Sequence, residues 1–324
     1  VTASIDVLTI GETMVMVAPR AGRRIEIGGD VGLSIGGAES NVAILAARLG
    51  LRAAWVSRLG ADTLGVLVLD EIARHGVDVG AVEFDPTAPT GLYVKDPSPV
   101  GTQVHYYRAG SAASRISPTM IAEPRLPDAR ITHFTGILPA LSETCAAAAR
   151  SLISRQAARS GLLSFDVNYR ARLWADVGSA ATTLHDMARS SDIVFVGLDE
   201  AALLWGTTDP ASVRRLLPDV PHLIVKDGAV EAVEFEADIS TRSPAGYVEV
   251  VEPVGAGDAF AAAWLAGYLR GIPPAQRLEL GHASAARVLV SPFDLADDVE
   301  DLRVQLERRP IAGQAHPMRR EGAS

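Results

Sequence analysis

The segment Glu252-Pro253-Val254-Gly255-Ala256-Gly257-Asp258-Ala259-Phe260 is the part of the chain best equipped for chemistry. Phe260, Trp264 and Tyr268 follow at i, i+4 and i+8, which is one face of a helix, and Arg270-Gly271 with Pro273 and Pro274 ends it. Small residues at 255 to 257 let backbone N–H groups come close to a ligand, and a helix N-terminus adds partial positive charge. Together they make an anion hole without any lysine. Asp258 falls in the first helical turn, beside that hole. A carboxylate there suits taking a proton from a hydroxyl that attacks phosphorus. Two other readings compete. Gly255-Ala256-Gly257 could open a dinucleotide fingerprint, but that pattern needs Gly or Ala where Phe260 stands. Asp258 could act only as an N-terminal charge or cap for the helix. A Walker A phosphate loop is absent from the chain.

A second polar cluster, Asp166, Asn168 and Arg170, closes the apolar run Leu162 to Val167. Ligands of α/β sheets sit off such strand ends. Val104-His105-Tyr106-Tyr107-Arg108 and Tyr93 come from segments with β-type pairs and turns. Tyrosines pack on sugar rings and bond their hydroxyls. Arg108 and Arg170, from separate segments, suit a carboxylate, which a guanidinium grips as a fork. The plain alternative is two surface arginines, with the tyrosines packing inside a small sheet.

The elements that must position these groups alternate. Ile5 to Ile10, Ala53 to Arg58, Ile131 to Phe134, Leu162 to Val167, Ile193 to Val196 and Leu223 to Val225 read as strands, and Glu39 to Leu49 and Leu64 to His75 as helices stopped by Gly50 and Gly76. Strand–helix alternation argues a mainly parallel sheet covered on both faces. Met14 to Ser34 and Thr90 to Arg108 lack a helical period. They read as antiparallel strands inserted at strand ends, where lids form over sites. The expected division is an α/β core of residues 1–11, 36–86 and 115–310, a β-lid of residues 12–35 and 87–114, and a frayed tail of residues 311–324.

Composition excludes several classes. The 324 residues carry a net charge of −9, so a general nucleic-acid or membrane surface, which needs a basic face, is not expected. Lysine occurs only at Lys95 and Lys226. One cysteine, Cys145, can form no internal disulfide, lies in an Ala-rich helical stretch and reads as packing. The N-terminal residues, with Asp6 and Glu12, do not read as a signal peptide, and the expected location is cytoplasmic.

The Gly255 to Asp258 segment resembles the second signature of the ribokinase-like (PfkB) carbohydrate kinases. The first signature of that family is matched by Gly36-Gly37-Ala38-Glu39-Ser40-Asn41-Val42-Ala43, leading into a helix. The resemblance runs to about Leu306. It implies a three-layer α/β/α core with a small β-sheet lid, Mg²⁺ and ATP as donor, and in-line transfer to a sugar hydroxyl, with a monovalent cation left open. By position it makes Asp258 the base and Gly255, Ala256 and Gly257 the anion hole. Gly36, Gly37 and Asn41 match the sugar-binding turn. Within the family, Tyr106-Tyr107-Arg108, Gly136-Ile137-Leu138-Pro139-Ala140 and Asp166 to Arg170 look most like kinases of 2-keto-3-deoxygluconate. That likeness assigns Gly37, Tyr93, Tyr106, Arg108, Ile137, Arg170 and Asp258 to a sugar acid, with Asp166 and Asn168 beside them. On the nucleotide side stand Lys226, Gly228, Gly255, Gly257 and His282.

The sequence departs from the family there. Gly197 replaces the Asn of an Asn-x-x-Glu segment, leaving Glu200 as an indirect metal partner. Glu231 stands where a second Gly is common, His282 where an Asn often lines the adenine pocket, and Glu252 for an Asp. These departures leave open a catalytically weak sugar-acid sensor, and the Asn-x-Arg strand end, shared with fructokinases, leaves open a kinase of a neutral sugar such as fructose or ribose. A homodimer through the lids is expected, because exposed lid strands such as Gly91 to Lys95 leave unpaired edges.

Overall fold

The computed structural model describes residues 5–19, 24–98, 101–122, 126–157, 161–251, 253–291, 295 and 298–308. The tail expected at 311–324 and Glu252 lie outside the described residues.

From the N-terminus run β1 (Ile5–Ile10), β2 (Met14–Pro19), β3 (Val31–Gly36), α1 (Ala38–Arg48), β4 (Ala53–Val56), β5 (Arg58–Gly60), α2 (Thr63–Arg74) and β6 (Glu83–Asp85). Next come β7 (Leu92–Ser98), β8 (Gly101–Tyr107), α3 (Pro118–Ile121), β9 (Ala129–Thr135), α4 (Ile137–Ala140), α5 (Glu143–Ala157) and β10 (Leu162–Asp166). Then follow α6 (Val177–Arg189), β11 (Ile193–Gly197), α7 (Leu198–Trp205), α8 (Pro210–Leu216), β12 (His222–Asp227), β13 (Glu231–Glu236) and β14 (Ile239–Pro244). Last are α9 (Ala256–Leu269), α10 (Pro274–Leu289) and α11 (Glu300–Glu307).

The main sheet has eight strands in the order β14-β13-β12-β11-β10-β9-β1-β4. From β12 to β4 every pairing is parallel, and β13 and β14 join as an antiparallel hairpin at one edge. Strand parity sorts the core into two layers. Val7, Ile131, Phe195 and Ile224 pack with residues of α1, α2, α9, α10 and α11. Leu8, Ile10, Phe134, Val194, Val196 and Val225 pack with residues of α3 to α8 on the other face. The result is an α/β/α sandwich. Each fully buried Leu or Ile in it contributes roughly 1.5–3 kcal/mol. Cys145 is one of these packed residues, fully buried in α5.

A separate four-stranded sheet has the order β3-β2-β7-β8. Here the structure corrects the expectation of purely antiparallel strands. β2 pairs β3, and β7 pairs β8, antiparallel, but the central pair β2 and β7 is parallel. β2 follows β1 out of the main sheet, whereas β7 follows β6 of a separate two-stranded sheet. The strand expected from Ala53 to Arg58 also divides. β4 ends at Val56, and Arg58 begins β5, which pairs with β6 in a sheet of two. The β13–β14 hairpin adds two strands that the apolar runs did not announce.

Candidate active site

The parallel strands β1, β9, β10, β11 and β12 all end on one edge of the main sheet. β1 leads to β4 on one side and β9 to β12 extend on the other, so the switch in strand order falls between β1 and β9. A ligand site is expected off that edge. Asn41, Asp166, Asn168, Glu200, Lys226 and Asp258 gather there.

Asp258 stands in the first turn of α9, whose N-cap, Gly255, has φ +86°, a conformation that favours glycine. Asp258 is 8 % exposed. Asn41, in the first turns of α1, donates its side-chain amide to Asp258 Oδ2 at 2.9 Å. Asn168 Nδ2 reaches Asp258 Oδ1 at 3.5 Å, from a backbone with φ +38° just past β10. Asn accepts that left-handed conformation more readily than most residues. Burial pushes the Asp258 carboxyl up to about 7, with Asp166 and Glu39 adding to the rise while the Asn41 hydrogen bond and Arg170 oppose it. A carboxyl poised near neutral pH can accept a proton and release it.

A lysine lies against the segment expected to form an anion hole. A Cβ built on Gly257 would meet Lys226 Nζ at 3.4 Å. Lys226 also donates to Asp166 Oδ2 at 2.9 Å. Burial works to lower its pKa, but Asp166, Glu200 and Asp258 outweigh that and raise it. Tertiary contact brings this ammonium from β12 against α9. Glu200, at the start of α7, is the next carboxylate. Its Oε1 accepts the Tyr169 N–H at 2.8 Å and its Oε2 the Gly197 N–H at 2.9 Å. Burial, then Asp166, raises its pKa. Gly228 turns the chain after β12 at φ +46°. His282 sits apart from these hydrogen bonds, its Nε2 at 3.0 Å from the Ser243 carbonyl and its ring 5.3 Å from that of Phe260.

On the other side, Gly36 ends β3 and Gly37 caps α1. A Cβ on Gly37 would stand 2.3 Å from the Glu12 carbonyl oxygen, so only glycine fits. Ile137 opens α4, with its N–H on Thr135 Oγ1 at 3.1 Å. Tyr93 and Tyr106 pack with ring centroids 5.7 Å apart in the small sheet. Arg108 differs from expectation. It is not a free fork, because its Nε donates to Glu12 Oε2 at 2.6 Å and its Nη2 pairs with the same oxygen. Glu12 therefore balances the Arg108 charge within the protein. Arg170 is exposed at the strand end, close enough to act on Asp258 and Glu200 electrostatically.

Two acids were missed. Glu12 is one. Glu39 is the other: it is fully buried, accepts the Thr135 N–H at 3.1 Å and its hydroxyl at 2.7 Å, and leaves Oε2 without a partner. Burial pushes it up to about 7. An acid two positions before Asn41, at the head of an otherwise apolar helix, was the available signal.

Away from this edge, His222, Glu234 and Glu236 form the one group among the described residues with metal-like spacing. Arg277 fills it, donating from Nε to Glu234 at 2.9 and 3.0 Å and from Nη2 to Glu236 at 3.0 Å, while Trp264 Nε1 donates to Glu234 at 3.0 Å. The guanidinium supplies the positive charge there. No helix among the described residues is long and apolar enough to cross a membrane.

Comparison with known proteins agrees with this architecture. The family profile described as pfkB family carbohydrate kinase matches residues 4–292. The chain is 32 % identical over 302 residues to a 2-dehydro-3-deoxygluconokinase of Bacillus subtilis, covering 90 % of this chain and 91 % of that one. It is 33 % identical over 306 residues to a 2-dehydro-3-deoxygalactonokinase of Haloferax volcanii, covering 91 % and 95 %. The crystal structure of a PfkB protein from Polaromonas sp. JS666 superimposes with a TM-score of 0.81 at 34 % identity, covering 90 % of this chain and 98 % of that one. With a buried carboxylate at a glycine-capped helix N-terminus and both family signatures on one sheet edge, this chain belongs to the pfkB family of carbohydrate kinases.

Proposed function

We propose that the enzyme phosphorylates the terminal hydroxyl of a sugar acid, 2-keto-3-deoxygluconate, with ATP as donor and Asp258 as general base. The observation that carries the reaction is the Asp258 carboxyl, buried, tuned to about 7, and set between Asn41 and Asn168 beside the Gly255 cap. The sugar-acid substrate is supported by the relatives named for such kinases.

The donor set fits a phosphoryl group. The helix N-terminus with its left-handed glycine offers backbone N–H groups, and the space over Gly257 that a side chain would fill lies against Lys226 Nζ. ATP with Mg²⁺ would supply an electrophilic phosphorus whose charge is partly neutralised. The N–H groups of residues 255 to 257 and the Lys226 ammonium would hold the negative oxygens. Asp258 would take the proton of the acceptor hydroxyl at its Oδ, while the Asn41 amide keeps that carboxylate aimed. Glu200 has both oxygens on backbone N–H groups, so it fits an indirect partner of the metal rather than a direct ligand. Lys226, Gly228 and His282 remain the proposed nucleotide-side residues.

A neutral-sugar kinase is the second reading, and one observation favours it: Glu12 neutralises Arg108. The decisive experiment is a coupled ADP-release assay over a panel of sugars and sugar acids. The keto-deoxy acid should give the highest kcat/KM. If fructose or ribose does better, the neutral-sugar reading replaces this one. No ADP release with any acceptor would instead point to a sensor.

The enzyme is further proposed to pair through its small sheets, which expose Val31, Leu33, Tyr106 and Tyr107. Light scattering at working concentration should give a dimer, and Leu33→Glu should give a monomer. A monomeric parent protein would overturn the proposal.

A further inference from the structure

The chain passes between the α/β core and the small sheet four times: at 11–13 after β1, at 37 after β3, at 86–91 between β6 and β7, and at 108–111 after β8. Glu12 touches all four passages. It lies on the first. Its carbonyl oxygen would be 2.3 Å from a Cβ on Gly37, in the second, and its Oε1 would be 2.9 Å from a Cβ on Gly91, in the third. In the fourth, Ser111 Oγ donates to Oε1 at 2.6 Å, and Arg108 donates from Nε to Oε2 at 2.6 Å with Nη2 on the same oxygen.

The Glu12 side chain is fully buried and that of Arg108 is 12 % exposed. A buried ion pair is a weak device for stability alone, because desolvation offsets most of the attraction. It is a strong device for orientation. The Nε edge of Arg108 is committed to Glu12, so the edge left for a ligand is the one carrying Nη1. The guanidinium carbon lies 5.9 Å from the Tyr106 ring centroid, and Tyr106 packs against Tyr93. The arginine is thus pinned from one side by a carboxylate and flanked by a ring.

We propose that Glu12 is a positioning residue for the acceptor. It fixes Arg108 so that the Nη1 edge meets the acceptor's carboxylate, and it ties that contact to the junction of the two sheets. This rests on the sugar-acid reading given above. An arginine held in advance loses less side-chain freedom when the acid arrives.

The test is steady-state kinetics of Glu12→Asp, Glu12→Gln, Ser111→Ala, Arg108→Ala and the Glu12→Gln/Arg108→Ala double variant, with the sugar acid and ATP, alongside thermal melts. Glu12→Asp keeps the charge but draws the carboxylate back by one methylene. It should raise KM for the acid by about tenfold or more, on the scale of other 1 Å misplacements, while KM for ATP stays within about twofold. Ser111→Ala, the mildest change, should act in the same direction and keep its fold. Arg108→Ala should add little in the Glu12→Gln background, since the two residues form one unit. A parental KM for the acid in both Glu12→Asp and Ser111→Ala overturns the proposal, as does full additivity in the cycle. A lowered KM in Glu12→Gln also overturns it, because Glu12 would then be only a counter-charge. Arg108→Ala alone reports on the sugar-acid reading: an unchanged KM for the acid there sinks that reading, whereas a raised KM beside inert Glu12→Asp and Ser111→Ala sinks only the role of Glu12.

Discussion

Asn41 on α1 and Asp258 on α9 are 217 positions apart in sequence and 2.9 Å apart in space, joined by a buried hydrogen bond from the amide to the carboxylate. The first family signature thereby orients the central acid of the second. Asn168 approaches the other carboxylate oxygen from β10, so three separate segments set one side chain.

Asp258→Asn should lower kcat by on the order of 10²–10⁴-fold, with acceptor binding retained by calorimetry. In the parent enzyme kcat/KM should fall as pH drops through about 7, where Asp258 becomes protonated. Stability carries the opposite sign. A carboxyl raised by burial binds more protons folded than unfolded between its ordinary value of 3.8 and about 7, so folding stability decreases across that window as pH rises. The Asn variant should therefore melt higher than the parent at pH 8, and the gain should shrink at pH 4. A near-normal turnover would remove Asp258 from the role of base.

Asn41→Ala removes a bond that holds the Asp258 pKa down. The acidic limb of kcat/KM should move to higher pH, and activity at pH 7 should fall more than activity at pH 9. An unmoved limb would show that Asn41 does not act through Asp258.

Lys226→Met removes the ammonium that bonds Asp166 and faces Glu200 and Asp258. Leaving a buried carboxylate without its partner costs about 3–5 kcal/mol, so the melting temperature should drop measurably. Because the ammonium also borders Gly257, kcat should fall at saturating substrates. A stable variant with full kcat would contradict both roles.

Arg170→Ala should raise KM for the sugar acid by about tenfold, the scale of one charge-assisted hydrogen bond, and leave KM for ATP nearly unchanged. With a neutral sugar the same change should matter little. Equal effects on acid and neutral acceptors would mean that Arg170 positions the pocket without reading charge.

Gly11→Ala tests the buried Glu39. A Cβ at Gly11 would stand 2.1 Å from the Glu39 carboxyl carbon, which Thr135 holds in place. Overpacking of this kind typically costs about 1–3 kcal/mol. Denaturant unfolding should show a loss of at least that size, and an unchanged midpoint would mean that Glu39 yields freely.

The sequence by itself determined the alternation of strands and helices and the two-faced burial of strands such as β1 and β11, and it singled out Asp258, Asn41, Gly37 and Gly255 as candidates. These are local signals: apolar runs bounded by glycine, small residues before a helix, an acid in its first turn. Tertiary structure decided the rest, because it depended on partners far apart in the chain. The parallel pairing of β2 with β7 sets Val15 beside Leu92, and no local pattern in either segment announces it. Lys226, which borders Gly257, comes from β12, 31 positions earlier. Arg108 reads in sequence as a free cation, and only the folded chain sets Glu12, 96 positions earlier, against it. A charge's availability depends on what is packed against it, and residue spacing carries no record of that contact.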